Sequence, residues 1–321
     1  MSRIVVVVPV YNEEPNLALL HERLAKVAAT SSDEYSFVFV DDGSRDRSLE
    51  VLRELAPRDA RVRYLSFTRN FGHEMATTAG IDAAEGDAVV LIDADLQDPP
   101  EVIPALVAKW REGFEVVYAR RLHRKGESAV KRARSWLFYR FINAMSDFSI
   151  PPDTGDFRLM DRRVVEAFRR CRERNRFVRG LVAWAGFRQA AVDYEREPRH
   201  AGRTKYGFFK LLHLAFDAIS GFSSVPLRLA VYFGFVVCAA SVVMAAVIVV
   251  QKLAWGIPVQ GYALLATGFF FLSGVQIFIM GVVGAYVGRV YRQVQERPLY
   301  LVMETSEEYL KSEQQGRRPN A

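Results

Sequence analysis

Cysteine is scarce in this chain, and its scarcity argues against two kinds of protein. Cys171 and Cys238 are the only cysteines among 321 residues, and their spacing matches no metal-binding motif. Two cysteines also make no disulfide framework, which fits a reducing compartment. The sequence therefore does not predict a cysteine-ligated zinc protein or a disulfide-stapled secreted domain.

Two nucleotide-binding signatures are also missing. No G-x-G-x-x-G follows the first apolar run, and no G-x-x-x-x-G-K-[ST] occurs anywhere in the chain. These motifs bind the phosphates of dinucleotides and of nucleoside triphosphates. Their absence argues against a dinucleotide-dependent oxidoreductase and against a P-loop nucleotide triphosphatase.

The amino terminus lacks the pattern of a signal peptide. The apolar run at residues 4–10 is short, Glu13 and Glu14 follow it closely, and no small-residue cleavage site is present. We expect this run to form a buried first strand.

Charge is absent from two long stretches, residues 229–250 and 262–287. A membrane-spanning helix needs about 20 apolar residues, and core helices are rarely so long and so uniformly apolar. We predict two transmembrane helices, with two buried core helices as the alternative. The stretch before them predicts helices in the membrane interface, or alternatively a core face, from apolar residues at helical spacing: Phe208, Leu211, Leu212, Ala215, Phe216 and Ile219.

Positive charge is concentrated in two segments, residues 120–134 and 196–210, and the net charge is +6. Such segments bind nucleic acid, anionic lipid or phosphate groups, or are simply solvated. The two apolar stretches favour lipid and phosphate, and we expect no nucleic-acid partner.

The first half of the chain alternates short β-rich runs with amphipathic stretches, which predicts an α/β fold. Continuous apolar strands separated by helices indicate a mostly parallel sheet with helices on both faces. The predicted strands are residues 4–8, 37–40, 62–66, 88–92 and 116–118. The predicted helices are residues 14–28, 47–55, 74–84 and 100–111.

Acidic residues follow three of these strands. Glu13 comes after the first strand, Asp41 and Asp42 after the second, and Asp93, Asp95 and Asp98 after the fourth. Ligands of parallel sheets bind beyond the carboxyl ends of the strands. A single carboxylate there could cap a helix, but several on one edge repel one another unless a cation binds. The D-x-D of Asp93 and Asp95 therefore predicts a divalent cation, Mg²⁺ or Mn²⁺, held by carboxylate oxygens.

Four motifs together resemble those of the family-2 inverting glycosyltransferases, which have the GT-A fold. They are V-P-V-Y-N-E-E at residues 8–14, V-D-D-G-S at 40–44, D-A-D-L-Q-D-P-P at 93–100 and G-D-F-R-L-M at 155–160. The nearest resemblance is to polyprenyl-phosphate glycosyltransferases, the dolichol-phosphate mannose synthases and bacterial GtrB-type chains, and it includes the two apolar C-terminal stretches. The motifs are specific to the family and not to the sugar.

The resemblance implies a role for each matching residue. Pro9, Tyr11 and Glu13 correspond to the segment that contacts the nucleotide, and Asp41 to the carboxylate that hydrogen-bonds the base. Gln97 corresponds to a residue near the donor sugar.

The catalytic and metal-binding residues follow in the same way. Asp93 corresponds to a residue that contacts ribose or metal-bound groups, and Asp95 to the principal metal ligand. Asp156 corresponds to an acidic residue commonly assigned to catalysis. Whether Asp156 acts as a base or orients a substrate is left open.

Two sets of basic residues are expected to bind phosphate. The segment R-H-A-G-R-T-K-Y at residues 199–206 resembles a loop that closes over the donor phosphates; alternatively it is a patch on the lipid surface. Its phosphate ligands would be Arg199, Arg203 and Lys205. A looser resemblance to dolichol-phosphate mannose synthases places the acceptor phosphate at Arg120, Lys131 and Ser135.

Two further features bear on the reaction. The Q-x-x-R-W motif of processive polysaccharide synthases is absent, and F-V-R-G at residues 177–180 does not replace it. His73 lies near the same sheet edge, where a lone histidine is more often a packing or hydrogen-bonding residue than a catalytic one.

The resemblance implies transfer of a hexose, glucose from UDP-glucose, to polyprenyl (undecaprenyl) phosphate with inversion. The alternatives are transfer of mannose, N-acetylglucosamine or an aminoarabinose relative, or a non-catalytic membrane subunit with a degenerate nucleotide-sugar site. Basic residues flank the two apolar stretches, so the positive-inside rule puts the catalytic domain in the cytoplasm, at the inner membrane. The G-x-x-x-G of Gly284 and Gly288 predicts a homo-oligomer, or alternatively packing of the two spans of one chain.

These expectations divide the chain into four parts. Residues 1–205 form the cytoplasmic GT-A catalytic domain, and residues 206–226 the interfacial helices. Residues 227–290 form a two-helix transmembrane hairpin, followed by a cytoplasmic tail at 291–321.

Overall fold

The computed structural model describes residues 1–122, 154–174, 176–195, 225–255 and 261–306. By its internal contacts the chain forms two compact units. The first contains a large sheet and its covering helices, and the second contains two long apolar helices.

The first unit is built on an eight-stranded sheet with the order β7-β5-β6-β4-β1-β2-β3-β8. The pairs β1–β2, β1–β4, β2–β3 and β5–β7 are parallel, whereas β4–β6, β5–β6 and β3–β8 are antiparallel. The strands are β1 (Arg3–Val10), β2 (Glu34–Asp41), β3 (Val62–Phe67), β4 (Ala88–Leu91), β5 (Val116–Arg121), β6 (Thr154–Asp161), β7 (Gln189–Tyr194) and β8 (Val302–Thr305).

Six helices of the described residues accompany this sheet. They are α1 (Glu14–Ala29), α2 (Ser48–Leu55), α3 (His73–Ala83), α4 (Ile103–Arg111, after a 3-10 turn at Pro100–Val102), α5 (Arg162–Arg170) and α6 (Val178–Trp184). The predicted α/β class is confirmed, and every predicted strand and helix is present with its ends shifted by at most a few residues.

Strand β1 shows why the central strands are apolar throughout. Alternate residues of a strand face opposite sides of the sheet. Val6 and its same-face neighbours share a core cluster with Leu17 and Leu20 of α1. On the other face a Cβ at Gly80 of α3 would lie only 2.1 Å from Val7 Cγ1, so α3 can approach β1 this closely only because residue 80 is glycine. Both faces of β1 are therefore covered by helix.

Three strands were not predicted from the sequence. The G-D-F-R segment lies in β6, and β7 follows helix α6. Strand β8 comes from the segment predicted to be a tail and pairs with β3 at the sheet edge. Arg53 forms a two-bond ion pair with Glu304, and the Tyr64 hydroxyl donates to the same carboxylate at 2.8 Å. This edge strand is thus fixed by side chains that are far away in sequence.

The second unit contains α7 (Val225–Trp255) and α8 (Tyr262–Val294). Both are long and apolar enough to cross a membrane, with spans at 229–254 and 268–294, and neither span is buried inside the protein. The alternative of two buried core helices is therefore wrong. The predicted interfacial helices at 206–226 lie outside the described residues except for the start of α7, and the proposed four-part division remains a prediction.

Candidate functional site

The carboxyl ends of β1, β2 and β4 meet at one edge of the sheet, which we call the site edge. Strand β6 runs antiparallel to β4, with Leu91 paired to Arg158, so the beginning of β6 lies at this edge. Parallel strands thus bring Asp41 and Asp93 to the site edge, and a reversed strand brings Asp156. Reversal of β6 is the reason that its first residues, and not its last, belong to the site.

Asp41 and Asp42 are both buried, and each organises a different loop. The Asp41 carboxylate accepts hydrogen bonds from Ser66 Oγ at 2.7 Å and from the Ser44 backbone N–H at 3.1 Å. Asp42 accepts from the backbone N–H groups of Phe71 (2.6 Å) and Gly72 (3.0 Å). Burial raises the pKa of Asp42, and these two N–H groups oppose the rise.

The loop held by Asp42 determines where α3 begins. Gly72 has φ +105°, a conformation that side chains other than glycine rarely adopt, and α3 starts at the next residue, His73. His73 is therefore delivered to the site edge by a backbone turn that a buried carboxylate fixes.

His73 joins Asp93 and Asp156 in one cluster. Its Nε2 lies 3.4 Å from Asp156 Oδ2 and 3.8 Å from Asp93 Oδ1. Burial lowers the pKa of His73, but the bond to Asp156 and the charge of Asp93 outweigh it and raise the pKa to about 9. The raised pKa favours the protonated imidazole at neutral pH, and the contact with Asp156 agrees with the interpretation of His73 as a packing or hydrogen-bonding residue.

The two carboxylates of this cluster differ in environment. Burial raises the pKa of Asp93 to about 6; the charge of His73 opposes the rise, and neighbouring carboxylates add to it. Burial also acts to raise the pKa of Asp156, but bonds from Arg179 and His73 hold it well below its usual range. Arg179 forms a two-bond fork, with Nε 2.7 Å from Asp156 Oδ1 and a terminal nitrogen 2.8 Å from Oδ2.

The D-x-D loop has its own internal order. Asp95 Oδ1 accepts a hydrogen bond from the Gln97 backbone N–H at 3.1 Å, and Leu96 adopts φ +59°. Asp98 is fully buried and accepts a hydrogen bond from the Tyr194 hydroxyl. These contacts fix the path of the chain between Asp93 and α4.

The segment after β1 is joined to the segment after β2. Tyr11 is partly exposed, and the next residue, Asn12, has φ +56°. The Asn12 and Glu13 backbone N–H groups donate to Ser44 Oγ (3.0 Å) and Ser48 Oγ (2.9 Å). The expected nucleotide contacts Pro9, Tyr11, Glu13 and Asp41 therefore lie on two adjoining segments at the ends of neighbouring strands.

The end of β5 separates two arginines that follow one another in sequence. Arg120 is paired with Asp193, with Nε 2.6 Å from Oδ1, and both side chains are exposed. Arg121 instead has a terminal nitrogen 3.8 Å from Asp98 Oδ2. A Cβ at Gly155 would lie 2.6 Å from the Arg121 guanidinium, so glycine makes room for that group. The predicted acceptor contact Arg120 thus has a protein partner already, and Arg121, expected only as part of the basic segment at 120–134, lies near the buried Asp98.

Several predicted residues cannot be placed. Arg199, Arg203, Lys205, Lys131 and Ser135 lie outside the described residues. Their proposed phosphate contacts remain predictions.

A divalent cation fits the acidic side chains of this edge. Ligand atoms of His73, Asp93 and Asp156 lie within 4.8 Å of one another, a grouping that does not include Asp95. Asp156 has both oxygens bonded to Arg179 and Oδ2 also close to His73, which disfavours a metal ion on it. Burial is the main cause that raises the pKa of Asp93, and the charges of neighbouring carboxylates add to the rise; a dication would relieve that repulsion. We therefore keep Asp93 and Asp95 as the proposed ligands.

The sequence reasoning missed Arg179 and also Glu74, whose carboxylate accepts a hydrogen bond from the Val178 backbone N–H at 2.9 Å. The only signal for His73 was its position after the third strand, and Arg179 had none, because its segment was judged solely against Q-x-x-R-W. Their placement depends on helix packing, which no local pattern encodes.

Comparison with known proteins identifies the family. Residues 5–169 match the Glycosyl transferase family 2 profile. The uncharacterized glycosyltransferase YkcC of Bacillus subtilis is 47% identical over 94% of this chain and 93% of its own length. The SfII prophage-derived bactoprenol glucosyl transferase of Shigella flexneri is 42% identical over 94% of this chain and 97% of its own length. Among solved structures, S. aureus TarS in complex with UDP-GlcNAc is a remote likeness, with 16% sequence identity and a TM-score of 0.47. The match covers 68% of this chain and 66% of the TarS chain.

Proposed function

The chain belongs to glycosyl transferase family 2, and from this premise we propose that it transfers glucose from UDP-glucose to a polyprenyl phosphate with inversion. The observation that carries the proposal is the convergence of Asp93, Asp156 and His73 at the site edge, next to the loops of Asp41 and Asp95. The bactoprenol glucosyl transferases, similar over nearly the full chain, support glucose and a prenyl phosphate.

The nucleotide would bind where the segments after β1 and β2 adjoin. Asp41 would accept a hydrogen bond from the base, with Pro9, Tyr11 and Glu13 alongside. Asp41 is suited to this because Ser66 and the Ser44 N–H already fix its carboxylate. Gln97 would lie near the donor sugar, and its backbone N–H donates to Asp95 in the same loop.

The diphosphate is the leaving group, and negative charge builds on it as the anomeric bond breaks. A bound Mg²⁺ or Mn²⁺ supplies positive charge for that diphosphate. Asp93 and Asp95 would hold the cation, and Arg199, Arg203 and Lys205 would add cationic contacts to the phosphates.

The acceptor phosphate is already an anion at neutral pH, so its attack on the anomeric carbon needs little help from a base. Asp156, whose carboxylate is bonded by Arg179, would orient the sugar or the acceptor. In-line attack would turn an α-linked donor into a β-linked lipid phosphate sugar. Arg120, Lys131 and Ser135 remain the proposed acceptor-phosphate contacts.

The acceptor is a lipid, and the proposed topology brings the enzyme to it. The spans at 229–254 and 268–294 would form a hairpin in the inner membrane. Basic residues are dense on both flanks of the hairpin, while the connecting loop has only Lys252 near it. The positive-inside rule then puts the catalytic unit in the cytoplasm, where nucleotide-sugars are made.

The test is transfer by the purified full-length chain in lipid vesicles containing undecaprenyl phosphate. Radiolabelled UDP-glucose, UDP-N-acetylglucosamine and GDP-mannose are offered in parallel, and the lipid product is extracted. We expect label in lipid from UDP-glucose, with β configuration by NMR. If only another donor gives labelled lipid, the proposed sugar, glucose, is wrong and the sugar of that donor replaces it. No lipid product from any donor, under conditions where the chain binds UDP, would contradict the function.

A further inference from the structure

Arg179 and Asp156 form a two-bond ion pair at the site edge. The guanidinium presents two N–H groups to the two carboxylate oxygens at 2.7 and 2.8 Å. The Asp156 side chain is 14% exposed and that of Arg179 is 29% exposed, so water competes little for these bonds. A two-bond fork fixes the plane of a carboxylate as well as its position, which a single contact cannot do.

Arg179 is itself held by the helix that carries it. It is the second residue of α6, and the helix begins with Val178, whose backbone N–H donates to Glu74 Oε2 at 2.9 Å. Val178 and Leu181 are almost completely buried, which anchors this helix in the core. Glu74 follows His73 on α3, so one turn of α3 both contacts Asp156 directly and fixes the start of the helix that presents Arg179.

The fork also restricts how Asp156 meets a substrate. Each carboxylate oxygen offers about two lone pairs, and Arg179 takes one on each oxygen. His73 Nε2 lies 3.4 Å from Oδ2, so the second lone pair of Oδ1 is the one that faces away from both cations, in a direction that the guanidinium plane determines. Without the fork, the carboxylate could rotate about its terminal torsion, which is broad for aspartate.

We propose that Arg179 is a positioning residue that fixes the direction of the Asp156 carboxylate for glycosyl transfer. The proposal rests on the proposed function, since Asp156 is the group through which Arg179 acts on the reaction. Arg179 needs no contact with either substrate for this role.

The first experiment compares Arg179→Ala and Arg179→Lys with wild type in the vesicle assay. We expect kcat to fall on the order of a hundredfold in both, since a displacement of about 1 Å at a reacting group has this effect. Lysine should not rescue because it is a point charge and cannot hold both oxygens. UDP affinity, measured by calorimetry, should change less than about twofold, because the change is felt in the transition state.

Added guanidinium ion provides the readout that a structural role would not move. It should restore a large part of kcat in Arg179→Ala by occupying the vacated position. Guanidinium should not restore kcat in the double variant that combines Arg179→Ala with Asp156→Asn. The kcat of that double variant should be only slightly lower than that of Asp156→Asn alone, because the two residues act as one unit. The matched control is Arg23→Ala, which removes a fork of the same geometry between Arg23 and Glu101 on the outer surface.

Three results would overturn the proposal. The first is a normal transfer rate in Arg179→Ala. The second is a loss of rate that added guanidinium does not restore and that is accompanied by weaker UDP binding and lower thermal stability. The third is a crystal structure of the Arg179→Ala chain with UDP in which Asp156 keeps its position. If wild type makes no lipid product, the proposed function fails, and the crystal structure alone decides the positioning role.

Discussion

At the scale of single residues, the site combines groups whose charges are balanced by the protein itself. His73 and Arg179 place two cations against Asp156 and Asp93. Bonds from Arg179 and His73 hold the pKa of Asp156 well below its usual range, whereas burial, with the charges of neighbouring carboxylates, raises the pKa of Asp93. The two carboxylates therefore suit different tasks, orientation for Asp156 and cation binding for Asp93.

Asp156 should matter for turnover more than for nucleotide binding. Asp156→Asn keeps the size of the side chain and removes its charge, so kcat should fall about a hundredfold while UDP affinity stays near wild type. Calorimetry measures the affinity, and the lipid-product assay measures the rate. Glu166→Gln is the control, because Glu166 is an exposed partner of Arg162 on α5. Loss of UDP binding together with the rate would assign Asp156 to the donor or metal site.

Asp95 should be needed for metal-dependent transfer. Asp95→Asn keeps an oxygen that can accept the Gln97 N–H bond and removes the charge that a cation requires. We expect transfer to fall about a hundredfold, as when a charge-stabilising group is lost, and to recover partly at high Mn²⁺. A chelator should abolish transfer by wild type. Full activity in excess chelator would remove the metal from the proposed mechanism.

At the scale of elements, β8 shows how a segment predicted to be a tail becomes part of the sheet. Beyond its pairing with β3, Tyr300 stacks on Phe67 with ring centroids 5.1 Å apart. The Tyr300 hydroxyl also donates to Asp82 Oδ2 at 3.1 Å. Because these partners lie on β3 and at the end of α3, the strand closes the exposed edge of the sheet, which would otherwise be open to pairing with other chains.

Glu304→Gln should loosen β8 without disturbing the centre of the sheet. The hydrogen bond from Arg53 holds the pKa of Glu304 down at about 2. This is below the value of about 4.3 for an unfolded chain, so the stabilisation is complete above that pH and disappears as pH falls toward 2. We expect the variant to lose about 1–2 kcal/mol at neutral pH, and the difference from wild type to shrink in acid.

Hydrogen exchange and thermal unfolding measure this effect. In the variant the amides of β8 and β3 should exchange faster, while those of β1 in the centre of the sheet should keep their protection. Equal loss of protection in β1 would show that Glu304 supports the whole unit and not only its edge.

At the scale of the whole molecule, the G-x-x-x-G of Gly284 and Gly288 on α8 bears on whether copies of the chain associate. This spacing lets helices pack closely, either between copies or between the two spans of one chain. The homo-oligomer remains a prediction from the sequence.

Light scattering of the full chain in mild detergent should therefore give a dimer or a larger assembly. Gly284→Leu adds bulk at the expected contact and should shift the distribution toward monomer. Gly268→Leu is the matched control on the same helix, outside the G-x-x-x-G motif. A wild-type monomer across the concentrations tested would count against the oligomer.

The sequence by itself determined the α/β class, the positions of the first five strands along the chain and the two apolar helices. It could do so because apolar periodicity and run length are local properties of the chain. It also identified the carboxylates after β2 and β4, since parallel strands send their carboxyl ends to one edge. The tertiary structure alone decided which cations meet them. His73, Arg179 and the start of β6 come together because α3, α6 and a reversed strand pack around the site edge, and side-chain pairing across such distances in sequence has no local signature.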